Sequence, residues 1–204
     1  MPLLFVFDMD DVLYRYDWRL RMAGMSELTG LEFAELRRRW WNPEGEWKAE
    51  AGGFADAATY HAAVVEALGV EIAVADWVAN RGGAMTPIPE SIAAVRRAAE
   101  LGRVSLLTNN GPLLGEHLAT VAPELTGIIA PEDLRTSSYY GARKPDQAVY
   151  LALLDSYGAD PADVFFADDL PENVAGAASL GITAHLFTTG EALHDAVEAF
   201  AASR

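Results

Sequence analysis

An uninterrupted apolar run, Leu3 to Phe7, is followed at once by three acidic residues, Asp8, Asp10 and Asp11. Five apolar residues in a row have the length and composition of a buried strand. Because side chains i and i+2 of an extended chain face the same way, Asp8 and Asp10 should present their carboxylates to one spot. Crowded like charges repel, so a hard divalent cation held by oxygen ligands is their natural partner. The alternative is an acidic turn that caps the next helix.

The charge balance and the absence of cysteine exclude several classes of function. The 204 residues include 15 Lys and Arg against 30 Asp and Glu, a net charge of −15. Such a surface repels phosphate backbones, so no nucleic-acid partner is expected. Without cysteine there is neither a disulfide framework nor thiolate chemistry. The apolar runs are too short for a membrane span or a signal peptide, so we expect a cytoplasmic protein without a membrane partner. We expect a monomer or a homodimer.

Two different patterns divide the chain. Between residues 15 and 84 apolar residues recur at helical spacing, which predicts helices at 18–41 (one or two, broken at Gly30), 54–68 and 73–80. From residue 88 onward helices alternate with strands, and strands are predicted at 104–107, 127–130, 164–167 and 183–187. This alternation implies a parallel sheet with helices on both faces. The predicted fold class is therefore α/β: a doubly wound, Rossmann-like parallel sheet, formed by residues 1–14 and 88–204, with an inserted all-helical domain at 15–87.

Polar residues collect where the predicted strands end. They are Asp8 and Asp10 after the first strand, Thr108 and Asn109 after the second, Lys144 before the helix that begins at Pro145, and Asp168 and Asp169 after the strand at 164–167. In a parallel sheet these ends meet at one edge, where such folds bind ligands. A polar loop that opens a helix can also cradle an anion. Each feature alone has an ordinary reading as a helix cap or a solvated lysine, so it is their coincidence that indicates a site.

Four segments, FDMDDVLY, LLTNNG, RKPD and FFADDLPEN, resemble in order the four motifs of the haloacid dehalogenase-like (HAD) hydrolases. The resemblance covers the whole α/β part, and the segment 15–87 lies where that family places its helical cap. The sequence from Gly141 to Ile182 looks most like the branch of bacterial sugar-phosphate (glucose-1-phosphate-type) phosphatases. Cap sequences vary within the family, so the cap identifies no substrate.

The resemblance implies a Mg²⁺-dependent phosphatase that acts on a small phosphorylated metabolite through an aspartyl-phosphate. Asp8 matches the nucleophile, and Asp10 matches the general acid that later activates water. Thr108 and Asn109 match residues that hold phosphoryl oxygens. Lys144 matches the lysine that neutralises both the nucleophile and the phosphate.

The resemblance also implies a set of metal ligands. They are Asp8, the backbone carbonyl of Asp10 and Asp169, with Asp168 either a further ligand or a partner of the ligands. One position departs from the pattern, because the family usually has glycine where this chain has Asp11. A carboxylate there could tighten metal binding or crowd the site.

Three other functions stay compatible with these residues. A 2-haloacid dehalogenase of the same fold needs Asp8 but neither a second acid nor a metal, so Asp10 and Asp169 argue against it. A phosphomutase would pass the phosphoryl group to a second sugar hydroxyl in place of water. A catalytically silent ligand-binding protein would keep the site as a sensor, although every catalytic residue type is present.

The helical segment is expected to contribute packing rather than chemistry. Its five tryptophans are best explained as the core of a small helical bundle. Arg15, Arg19 and Arg21 are expected to form a solvated helix face, from which one could reach a substrate anion.

Overall fold

The computed structural model describes residues 3–204, and its strands build one parallel sheet and one short ribbon. The strands in chain order are β1 (Leu4–Phe7), β2 (Tyr14–Tyr16), β3 (Met85–Pro87), β4 (Arg103–Leu106), β5 (Val164–Asp168) and β6 (Thr183–Leu186). The parallel sheet has the order β4–β1–β5–β6. The ribbon is the antiparallel pair β2–β3. The predicted fold class is confirmed, with β1 inside the sheet.

The helices fall into two groups along the chain. They are α1 (Trp18–Thr29), α2 (Phe33–Arg39), α3 (Glu46–Glu50), α4 (Ala57–Leu68), α5 (Val74–Gly83), α6 (Pro89–Leu101), α7 (Pro112–Val121), α8 (Gln147–Tyr157), α9 (Pro171–Ala178) and α10 (Gly190–Ala202). Helices α1 to α5 lie between β2 and β3 and are called the helical insert below. Its exact domain boundaries stay a prediction. Within residues 3–204 no helix is both long and apolar enough to cross a membrane.

Both faces of the sheet are covered, because successive residues of β1 belong to different cores. Phe5 and Phe7 pack in one core with side chains of α6, α7 and α10. Leu4 and Val6 pack in the other with side chains of α8 and α9. All four residues of β1 are buried, as the apolar run predicted.

Local signals in the sequence explain where the helices of the insert begin and end. The side chain of Asp17 caps α1, and Gly30 ends it in the left-handed conformation with φ 71°. Asp56 and Thr59 form a capping box at the start of α4, and Gly69 ends that helix with φ 73°. The predicted break at Gly30 is confirmed.

The predicted strand at 127–130 is wrong. Gly127 adopts φ 80°, which bends the chain. The amides of Ile128 and Ile129 then donate to the carbonyl of Leu125 at 3.1 and 3.0 Å instead of joining the sheet. Ile129 still packs in the core. An apolar pair therefore fills the core from a turn, which the apolar pattern alone does not distinguish from a strand.

The register of the sheet places the acidic residues. Phe7 of β1 lies beside Leu106 of β4 on one side and Ala167 of β5 on the other. Asp8 and Asp168, each one residue further along, therefore lie side by side at the ends of β1 and β5. These ends lie at the carboxyl edge of the sheet, where α/β folds bind ligands.

Asp11 occupies a tight turn between β1 and β2. Its φ is 58°, a left-handed conformation that glycine adopts freely and aspartate tolerates. Its amide donates to the carbonyl of Tyr14 at 2.6 Å, and its carboxylate accepts from the amide of Tyr16 at 3.0 Å. The conformation accounts for the glycine that the family pattern has here, and the carboxylate of Asp11 stabilises the turn.

Substitutions at Asp11 should separate the conformation from the charge. We expect Asp11→Asn to keep the stability within about 0.5 kcal/mol, because asparagine tolerates the left-handed region and keeps the acceptor. Asp11→Ala should lower the free energy of unfolding by about 1 kcal/mol, because alanine has no side-chain acceptor for the amide of Tyr16 and loses the local hydrogen bond that makes this conformation tolerable for aspartate. Urea denaturation measures both. An alanine variant as stable as the wild type would contradict the turn described above.

Candidate active site

The predicted site residues line one cleft at the carboxyl edge of the sheet. The cleft has a volume of about 260 Å³. Its walls are formed by Asp8, Asp10, Asp11, Thr108, Asn109, Lys144, Asp169, Leu170 and Asn173. The structure thus brings together side chains from three strand ends and from the loop before α8, while their chemical roles stay predictions.

Lys144 lies between two carboxylates and is almost completely buried, with 1% of its surface exposed. Its Nζ is 2.8 Å from Asp8 Oδ1 and 2.6 Å from Asp168 Oδ2. Burial opposes the charge of the lysine, but the two carboxylates more than offset it and raise the pKa of Lys144. Lys144 is therefore a fixed cation beside Asp8.

Asn109 holds the backbone of that lysine in both directions. Its Nδ2 donates to the carbonyl of Lys144, and its Oδ1 accepts from the amide of Lys144, each at 2.9 Å. The side-chain amide predicted to hold phosphoryl oxygens therefore orients Lys144 in this structure.

Asp168 is fully buried and hydrogen-bonded through both oxygens. Its Oδ1 accepts from the amide of Leu170 and from Asn173 Nδ2, each at 2.9 Å. Its Oδ2 accepts from the ammonium group of Lys144. Asn173 is the third residue of α9, and the sequence pattern did not assign it to the site.

Three carboxylates in and directly beneath this cleft have the arrangement of a cation site. Asp8, Asp168 and Asp169 each offer an oxygen, and these oxygens lie within 4.8 Å of one another. Burial raises the pKa of Asp8. The positive charge of Lys144 acts against this rise, and the negative charge of Asp168 adds to it. Burial, with Asp168 adding to it, also raises the pKa of Asp169. Since one lysine does not balance three carboxylates, the oxygen donors present fit a divalent metal such as Mg²⁺.

The loop after β4 supplies a hydroxyl group. Thr108 is buried, and its Oγ1 accepts from Asn110 Nδ2 at 2.9 Å. Its own hydroxyl hydrogen therefore stays available for a bound oxygen. The amide of Asn110 donates to Ser137 Oγ at 3.2 Å, which fixes the loop on the neighbouring segment.

Asp10 pairs with a residue of the helical insert that the sequence did not indicate. Nη2 of Arg81, on α5, lies 2.7 Å from Oδ1 and 2.6 Å from Oδ2 of Asp10. No sequence spacing signals this pair, because 71 positions separate the two residues and only the packing of the insert brings them together.

A larger cavity lies between the helical insert and the sheet, next to the cleft. Its volume is about 410 Å³. It is lined by Asp10, Tyr16, Trp18, Arg21, Arg37, Trp41, Glu46, Trp47, Glu50, Trp77, Arg81, Asn109 and Asn110. Asp10 and Asn109 border both spaces, so the cleft and the cavity are adjacent.

The predicted solvated arginine face is wrong at Arg21. This side chain is 2% exposed and stacks on the ring of Trp77 at 4.6 Å. It donates to the carbonyl of Trp77 at 3.2 Å and also bonds Asn80. The reason is that α1 packs this face against α5, so the arginine stem is covered and its head borders the cavity.

Comparison with known proteins agrees with the sequence resemblance. The sequence model of the haloacid dehalogenase-like hydrolase family matches residues 3–181. A curated relative, Phosphatase MT3486 of Mycobacterium tuberculosis (strain CDC 1551 / Oshkosh), is 26% identical over 212 residues, which cover 94% of this chain and 90% of the relative.

Solved structures share the fold at low sequence identity. A HAD family enzyme of Bacteroides thetaiotaomicron, BT-2542, in complex with magnesium and inorganic phosphate, has a TM-score of 0.70 and 17% identity over 93% of this chain and 96% of that chain. A 2-haloacid dehalogenase of Pseudomonas syringae pv. Tomato DC3000 has a TM-score of 0.64 and 17% identity over 92% of this chain and 86% of that chain. The family match spans most of the chain, and the protein belongs to the haloacid dehalogenase-like hydrolases.

Proposed function

We propose that this hydrolase is a Mg²⁺-dependent phosphatase that transfers the phosphoryl group of a small phosphorylated metabolite to Asp8 and then to water. The observation that carries the proposal is the cleft itself. A buried lysine there contacts Asp8 and Asp168, and an oxygen of a third carboxylate, Asp169, lies within 4.8 Å of oxygens of both. The relative named as a phosphatase and the solved structure that holds magnesium and phosphate support the same class.

We assign the nucleophile to Asp8. Lys144 binds its Oδ1, which leaves the other carboxylate oxygen to attack phosphorus. The new bond joins Asp8 to phosphorus while the ester P–O bond breaks, and Asp10 gives a proton to the departing oxygen. Water then attacks phosphorus, Asp10 takes a proton from it, and the bond to Asp8 breaks to release phosphate.

Fixed donors stabilise the charge that develops on the phosphoryl oxygens. Lys144 and the free hydroxyl hydrogen of Thr108 supply two of them, and both side chains are buried and held by neighbours. Donors that are already oriented cost no reorganisation during the reaction. Asn109 contributes by holding the backbone of Lys144.

We assign the metal to Asp8, the backbone carbonyl of Asp10 and Asp169. When bound, Mg²⁺ neutralises charge on the phosphoryl oxygens. Asp168 is assigned to the lysine rather than to the metal, because both of its oxygens already accept hydrogen bonds.

The leaving group is assigned to the cavity under the helical insert. Asp10 borders both the cleft and this cavity, so an ester bond at Asp10 points its alcohol toward the insert. A cavity of about 410 Å³ admits a metabolite of the size of a sugar phosphate.

The charge of the cleft disfavours the dehalogenase alternative. Three carboxylates face one lysine, an excess of negative charge that would repel the carboxylate of a haloacid. A phosphoryl group bound together with Mg²⁺ meets no such obstacle.

Removal of the metal should abolish activity. We expect hydrolysis of p-nitrophenyl phosphate to stop in excess chelator and to return with added Mg²⁺, because the carboxylate cluster lacks its balancing charge without the ion. Asp169→Asn should raise the Mg²⁺ concentration required for half-maximal rate by at least about tenfold, since loss of even a residue that only supports a ligand costs roughly 10–100-fold in metal affinity. Full activity in excess chelator would refute the metal assignment.

Substitution of the two aspartates should separate their roles. Asp8→Asn should eliminate turnover, because no aspartyl-phosphate can form. Asp10→Asn should lower the rate of the first step, transfer of the phosphoryl group to Asp8, by about 10²–10⁴-fold on an alkyl phosphate. The loss on p-nitrophenyl phosphate should be smaller, since p-nitrophenolate leaves with little protonation. Single-turnover rates on both substrates measure the difference. Equal fractional losses for Asp10→Asn would rule out its role as the acid, and turnover by Asp8→Asn would rule out the covalent route.

A further inference from the structure

The contact between Arg81 and Asp10 joins the helical insert to the proposed acid–base residue. A single nitrogen, Nη2, contacts both carboxylate oxygens of Asp10. The side chain of Arg81 is 3% exposed, and that of Asp10 is 23% exposed. The pair therefore lies in the seam between insert and sheet.

Arg81 is held in place on its other side. Its guanidinium group lies 4.1 Å from the centre of the ring of Tyr16. Tyr16 belongs to β2 and pairs with Met85 of β3, which follows Arg81 by four residues. An arginine stays protonated in proteins. Arg81 is thus a fixed cation at the junction of insert and sheet.

The same guanidinium group has a donor that Asp10 does not use. Nη1 of Arg81 is buried and has no hydrogen-bond partner within the described part of the chain. Arg81 and Asp10 both border the cavity assigned to the leaving group. A buried donor without a partner is costly in a folded protein, so this donor beside the cavity is available to a group that enters it.

We propose that Arg81 is a positioning residue for proton transfer. It holds the carboxylate of Asp10 at the border of cleft and cavity, where the ester oxygen leaves. Arg81 acts through Asp10 and makes the acid–base step depend on how the helical insert lies on the sheet. The inference rests on the phosphatase function proposed above and goes beyond it, because it assigns a residue of the insert to the chemistry.

A residue that only anchors the insert would behave differently. Loss of an anchor would lower the rates on both substrates by the same factor. Loss of positioning should lower the rate only on a substrate whose leaving group needs a proton. Glycerol 2-phosphate needs protonation of its leaving alkoxide, and p-nitrophenyl phosphate needs little.

The test is the single-turnover rate of Arg81→Met on these two substrates with Mg²⁺. We expect a loss of about tenfold or more on glycerol 2-phosphate and of less than about threefold on p-nitrophenyl phosphate, a fraction of the full acid effect. Arg39→Met is the matched control, because Arg39 is an insert arginine that pairs with Glu35 and borders neither space. It should leave both rates within about twofold of the wild type.

A double-mutant cycle identifies Asp10 as the route. In an Asp10→Asn background, Arg81→Met should add no further selective loss, because the residue that it positions is already inactive. Arg81→Lys, which keeps a cation, should recover part of the rate on glycerol 2-phosphate. Equal losses on the two substrates, an additive effect in the cycle, or no loss in Arg81→Met would each overturn the proposal.

Folding is checked by circular dichroism and the melting temperature of each variant. Should Arg81→Met fail to fold, the cycle is run with Arg81→Gln, for which the same selective loss is expected and the same results overturn the proposal. Wild-type protein without any Mg²⁺-dependent hydrolysis would overturn the phosphatase function and the role of Arg81 together. Normal hydrolysis with an unselective loss in the variant would overturn only the role of Arg81.

Discussion

One buried ammonium group makes the carboxylate-rich edge of this sheet compatible with folding. Lys144 contacts Asp8 and Asp168, both of which end central strands and cannot move apart without breaking the sheet. Two unpaired carboxylates in that position would be strongly destabilising, because buried charges need partners. Asn109 holds the backbone of this lysine, and Asn173 holds the carboxylate of Asp168 that accepts from its ammonium group.

The sequence predicted the parts of the fold that depend on neighbouring residues. The apolar run before Asp8 is a local signal, and the strand, its burial and the exit of the acids at the edge follow from it. The prediction of a strand at 127–130 was wrong for the same reason, since a turn at Gly127 buries Ile129 and packs the half-buried Ile128 against the core. The apolar composition of a segment predicts that it is buried, but it does not distinguish a strand from a turn.

The parts of the site that the sequence did not predict depend on how the insert packs. Arg21 and Arg81 look like ordinary helix arginines until α1 and α5 are placed against each other and over the sheet. Asn109 shows the converse, since its motif suggests a phosphate contact and its side chain is found on the backbone of Lys144. The fold alone does not decide the reaction, because a dehalogenase shares it. The argument for one reaction over the other depends on the charges in the cleft.

The ribbon of β2 and β3 has a consequence for how such proteins diversify. Tyr14 and Pro87 face each other in this ribbon, so the chain leaves the sheet and returns to it at nearly the same point in space. A segment whose two ends meet can be lengthened, shortened or exchanged without displacing the strands that bear the carboxylates. Natural variation can therefore rebuild the cavity under the helical insert while the carboxylates at the edge of the sheet stay in place, and only the few residues that join insert and sheet, such as Arg81 and Asp10, must be kept or replaced together.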